Sequence, residues 1–161
     1  MSIPRQLRAY AVSACMAASL SACHHPSTEI KTNDPNYGRR WSANLVTPAS
    51  LAGVAQLHGN ATWAPGTGTG ASVVKVSVTN ATQGGVHPWA VHNGNCDGDQ
   101  GIIGSADGYP PLKVDKDGTA AQTVTLPIVL PTDGQYSIVV LASQENSNTT
   151  VACGNFSPPV R

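Results

Sequence analysis

The sequence predicts an all-β domain, a β-sandwich or Greek-key barrel, and three observations predict it. Val74, Val76 and Val78 alternate with Lys75, Ser77 and Thr79, the period-two pattern of a strand with one buried face. Turn signals built on Gly and Asp recur between the apolar runs. No stretch sustains a helical apolar period beyond a turn or two. Many short strands punctuated in this way close on one another as a sandwich or barrel.

The chain opens with Arg5 and Arg8 ahead of an apolar run over residues 9–20. That run is too short for a spanning helix, which needs ~20 residues, but it suits the core of a secretory signal. It ends Leu20-Ser21-Ala22-Cys23, which resembles the lipobox of bacterial lipoproteins, where cleavage precedes the cysteine and its sulfur takes a lipid. The alternative is a simple signal peptide cleaved nearby, with Cys23 an ordinary thiol. By the sorting rule of such lipoproteins, His24 after the cysteine favours the outer membrane. The expected organisation is a signal peptide at 1–22, a lipid anchor and flexible tether at 23–44, and one β domain at 45–161. The tether segment carries His24-His25-Pro26 and Asn33-Asp34-Pro35 without periodicity, as a spacer would. Its paired histidines read as solvated spacer rather than metal ligands.

From about Leu51 the texture is β. After the strand at 74–78, Val124 and Leu126 alternate with Thr123 and Thr125, and Tyr136-Ser137-Ile138-Val139-Val140-Leu141 is apolar enough for a central strand. Separators are Gly66-Thr67-Gly68-Thr69-Gly70, Asp97-Gly98, Asp107-Gly108, Asp117-Gly118 and Asp133-Gly134. The prolines of Tyr109-Pro110-Pro111-Leu112 bar that piece from central pairing, so a rigid extended loop is expected there.

Charge is balanced, nine Lys and Arg against nine Asp and Glu. With no basic stripe and no exposed aromatic cluster, nothing points to nucleic acid. Of four cysteines, Cys15 leaves with the signal and Cys23 is taken if lipidated. Cys96 and Cys153 remain, a pair in an oxidising compartment. Closing so long a loop would stabilise the fold by ~4 kcal/mol on the chain-entropy account; the alternative is two free thiols.

The segment His87-Pro88-Trp89-Ala90-Val91-His92-Asn93-Gly94-Asn95-Cys96 resembles the copper-binding strand of Cu/Zn superoxide dismutases, His-Gly-Phe-His-Val-His followed by a cysteine. Val151-Ala152-Cys153-Gly154 resembles the Ala-Cys-Gly that carries the other half of that family's intradomain disulfide. The resemblance covers roughly residues 51–157. It implies a Greek-key barrel of the superoxide dismutase type, a bridge between Cys96 and Cys153, and a copper site held by several imidazoles.

Against that pattern the site is depleted. Ala90 stands where a copper ligand belongs, and Leu141 follows Val139-Val140 where the family places another. Residues 97–118 contain no histidine for zinc or for a bridge to copper, and Thr150 replaces the substrate-guiding arginine. His92 and His87 remain as metal candidates. The family uses the position of His87 for a framework hydrogen bond, and two histidines five apart in an unbroken strand face opposite sides of the sheet. His58 is read as a strand-edge residue, Trp89 as core, and Asp97, Asp99 and Asp107 as solvated turn residues rather than a calcium loop.

No catalytic residue is identified: there is no nucleophile elbow and no phosphate loop. The expectation is an exported, lipid-anchored protein of the periplasm or cell envelope, attached to the outer membrane, with a degenerate metal site. It would need no cofactor and act as a binding or envelope-structural protein, its protein or small-molecule partner unassigned. The alternative is a family member with residual copper binding or superoxide dismutation.

Overall fold

Strand structure starts at Trp41, ahead of the boundary expected at residue 45. The computed structural model describes residues 38–159. The signal segment, Cys15, Cys23, His24, His25 and the tether as far as residue 37 lie outside the described residues. The first strand, β1 (Trp41–Val46), alternates buried and exposed along its whole length. Its inward residues are Trp41, Ala43 and Leu45. The last four residues assigned to the tether thus belong to the domain. The pattern is easy to overlook because Ala43 is small and only three apolar positions carry it.

Seven of the other strands join β1 in one antiparallel sheet. They are β2 (His58–Pro65), β3 (Ser72–Thr79), β5 (Trp89–Asn95), β6 (Gly98–Ile102), β8 (Ala120–Leu126), β9 (Tyr136–Leu141) and β10 (Thr150–Asn155). The order is β6-β5-β9-β10-β1-β2-β3-β8. The strands β1, β2 and β3 form a meander, whereas β3 pairs with β8 and β5 with β9 across long connections. A meander flanked by strands that return from far along the chain is Greek-key logic. Two short strands, β4 (Val86–His87) and β7 (Leu112–Lys113), make a separate antiparallel pair. Apart from these, the described residues hold two single turns of 3-10 helix, Ala49–Leu51 and Ala106–Gly108. None of their helices is long and apolar enough to cross a membrane. The all-β expectation is met, in a sheet that curls into a half-barrel.

One apolar core fills the curl. Val74, Val76 and Val78 of β3 point inward as their alternation predicts, as do Val124 and Leu126 of β8. In β9, Ile138 and Val140 are fully buried, and Val139 on the opposite face is nearly so. That two-sided burial explains the unbroken apolar run. At one end Tyr136 stands edge-on to both Trp41 and Trp63, with ring centroids 5.3 Å apart in each case. The indole N–H groups are satisfied: Trp63 donates to Ser72 Oγ at 2.8 Å and Trp41 to the Pro131 carbonyl at 2.9 Å. Buried indoles need such partners.

A bulge interrupts the β5–β6 pairing between His92 and Gly94. Gly94 has φ of +86°, the region where side chains are strained. A Cβ there would also press into the Gly98 carbonyl. Gly94→Ala should therefore cost about 1–3 kcal/mol, read as a lowered denaturation midpoint. An unchanged midpoint would mean that the bulge is not formed in solution.

Candidate functional site

Strand geometry decides which side chains meet. Residues two apart share a face, so Ala90 and His92 of β5 lie together. Ala90 sits opposite Val139 of β9, and Leu141, two further on, completes the same face. Ala90, His92 and Leu141 line one pocket of about 460 Å³. Its far wall is the segment after β6, including Tyr109, Pro110 and Pro111, and its rim carries Asp107, Gln144 and Ser147. The prolines lie outside the main sheet as expected, although Leu112 and Lys113 beyond them pair with β4.

That wall is pinned from both sides. The Trp89 indole donates to the Pro110 carbonyl at 2.8 Å, and the Tyr109 hydroxyl donates to the Ile103 carbonyl at 2.7 Å. The two rings meet edge to face at 5.2 Å. Trp89 is buried as core, and part of it also faces the pocket. Burial pushes the Tyr109 phenol up to about 12, against a smaller opposing effect of the Val91 backbone. The folded state favours the neutral phenol, so its contribution to stability is complete below about pH 10. It is lost as pH rises through the folded value. Among four tyrosines, absorbance titration should show a late-ionising phase that Tyr109→Phe removes. The same substitution leaves the Ile103 carbonyl without its donor, a loss of about 1–2 kcal/mol.

His92 is 8% exposed and is held from behind. Its Nδ1 lies 2.7 Å from Asp99 Oδ1. An ionised carboxylate only accepts, so Nδ1 carries the proton and donates. The same oxygen accepts from the Gly101 N–H at 2.7 Å. Burial raises the Asp99 pKa, but the Gly101 and His92 hydrogen bonds and attraction to the imidazole outweigh it and hold the carboxyl below its ordinary value. Asp99 is therefore no free turn residue, as its place among glycines and aspartates suggested. The signal was proximity across a hairpin, since Asp97-Gly98 turns the chain back and brings residue 99 beside residue 92. Local spacing does not reveal that contact.

His87 belongs elsewhere. Its Nδ1 is 3.0 Å from the Leu141 carbonyl, and its Nε2 is buried with no hydrogen-bond partner. Pro88 separates the two strands that carry His87 and His92, and His87 does not line the pocket. The structure does not bring the two imidazoles together. His58, exposed at the start of β2, is also absent from the pocket wall. Asp97 lies with Asp99 and Thr150 in a second cleft around the disulfide, while Asp107 lies at the His92 pocket. Cys96 and Cys153 are joined, with Cα atoms 5.9 Å apart. The Cys96 N–H also donates to Asn155 Oδ1 at 2.8 Å.

Among the described residues, no group of three or more His, Cys, Asp or Glu is placed to hold a metal ion. The donor set beside His92 does not fit the copper site that the resemblance implies. Two hydrocarbon side chains flank one imidazole, and multi-nitrogen ligation is what retains a redox copper. A larger cavity, about 940 Å³, lies at the other end of β9, between Trp41, Pro131 and the glycine loop at 66–70. It has neither histidine nor cysteine in its wall. No protein-family model matches the chain, and comparison with curated proteins finds no match.

Proposed function

We propose that the protein is an exported, lipid-anchored relative of the Cu/Zn superoxide dismutases in which a binding pocket replaces the copper centre. One observation carries the reading. The positions where the resemblance implies copper ligands, 90, 92 and 141, share one pocket, and only one of them is an imidazole. Two further contacts support the family reading. His87 reaches the carbonyl of Leu141, as a framework histidine would, and Cys96 is bridged to Cys153. The bridge also accords with an oxidising compartment. On this reading the scaffold is retained and the site has changed use, because fold alone does not confer activity.

Copper loading of the purified mature protein tests it, followed by electron paramagnetic resonance and a dismutase assay. The expected result is no stoichiometric copper and no turnover above that of free ion. One bound equivalent with turnover, both lost in His92→Ala, would establish the alternative of residual copper chemistry. Mass spectrometry of the unreduced mature protein tests the location. A diacylglyceryl group on Cys23 is expected; an unmodified residue there would remove the lipid anchor from the proposal.

A further inference from the structure

The pocket at His92 has the makings of a small-molecule site. Its volume, about 460 Å³, falls within the range that buries such ligands, ~300–1,000 Å³. Ile102, Tyr109, Pro110 and Leu141 give it apolar walls, so a ligand gains by burying carbon there. The segment from Tyr109 to Pro111 is fixed by the Trp89 and Tyr109 hydrogen bonds. A wall already in place spares a ligand the cost of ordering it.

Of the pocket's polar side chains, His92 is the buried one, while Asp107, Gln144 and Ser147 are exposed. Asp99 accepts the hydrogen bond of the His92 Nδ1–H from outside the pocket wall. The imidazole thus turns its other edge to the cavity. In the neutral ring the remaining nitrogen, Nε2, is an acceptor, and the Asp99 contact holds both tautomer and orientation. Once a ligand covers it, an acceptor in largely apolar surroundings favours one donor from that ligand and penalises a ligand that leaves it unmet. Asp107, Gln144 and Ser147 make the mouth polar.

We infer that this pocket binds a small neutral, largely apolar molecule whose single hydroxyl or N–H group donates to His92 Nε2. The inference rests on reading the pocket as a binding site rather than a redox centre. Phenol is the minimal probe. Anisole is its control, with the same ring and the donor methylated.

The test is titration of the disulfide-intact mature protein with each compound, followed by amide chemical shifts and Trp fluorescence. Phenol should bind saturably at one site and shift the amides of 89–92 and 109–111. Anisole should bind about tenfold or more weakly, the effect of losing one buried hydrogen bond. His92→Phe should weaken phenol to a similar degree while leaving anisole little changed. Failure of phenol to saturate overturns the inference, and so does equal affinity for anisole on the native protein, a comparison that needs no variant. Copper loading is a separate readout. Stoichiometric copper with selective phenol binding defeats only the reading that the copper centre has been lost, whereas absence of both copper and phenol binding defeats only the ligand assignment.

Discussion

Replacing Cys96 and Cys153 together by serine is expected to lower the stability of the domain by ~4 kcal/mol on the chain-entropy account. The bridge closes a loop of 57 residues that contains β6, β7, β8 and β9. It ties the exposed β5–β6 turn to the buried Cys153 of β10. Those strands are not neighbours, because β9 lies between β5 and β10. No ladder of backbone hydrogen bonds therefore duplicates the link. A domain of this size has ~5–15 kcal/mol of stability in total, so the loss is a large share of it. Denaturant titration of the native and the double serine protein measures the difference. Reduction of the native protein should reproduce it. Superimposable unfolding curves would mean that the bridge contributes nothing to the folded state. A second consequence follows at the pocket. Asp99 lies on β6, whose residues are all exposed, so freeing the Cys96 turn should also loosen the Asp99–His92 contact.

Installing imidazoles at both hydrocarbon positions should raise copper affinity steeply. In Ala90→His with Leu141→His, three imidazoles would border one pocket, all on the face that β5 and β9 share. Even at 1.4 kcal/mol for each added ligand, affinity rises about 100-fold, and chelation by imidazoles suits copper. Calorimetric titration with Cu(II) and the nitrogen hyperfine pattern of the bound ion measure the gain. Flat affinity in a folded double variant would show that positions 90 and 141 do not converge on His92 as the strand register places them. It would also remove the reason for aligning this strand with the copper strand of the dismutases. Each single substitution should give a smaller gain, and the pair should exceed their sum because the ligands act on one ion.

Much of the fold was legible because it depends on local alternation. Strands β3, β8 and β9 were readable from period-two valines and from a continuous apolar run, both consequences of which faces are covered. β1 is hard to read from the sequence because Ala43 weakens its pattern, and its Trp41 reads as a lone aromatic until the core is assembled around it. β6 has no apolar signal to find, since it is an exposed edge strand held by pairing with β5 and by the Asp99 contact. The depletion of histidine at 90 and 141 was equally plain from residue identity.

Residue types and their order alone determined that the chain is all-β, that Cys96 and Cys153 are the available pair within the domain, and that few imidazoles stand near His92. Composition and alternation are local properties, and burial on one face forces them into the sequence. Only the tertiary structure decided that Asp99 orients His92, that His87 turns away to Leu141, and that Tyr109 and Pro110 roof a pocket over Ala90. Those contacts join residues on different strands or loops, so their distances are set by strand register, the β5–β6 turn and the path of the connections. No spacing along the chain encodes them.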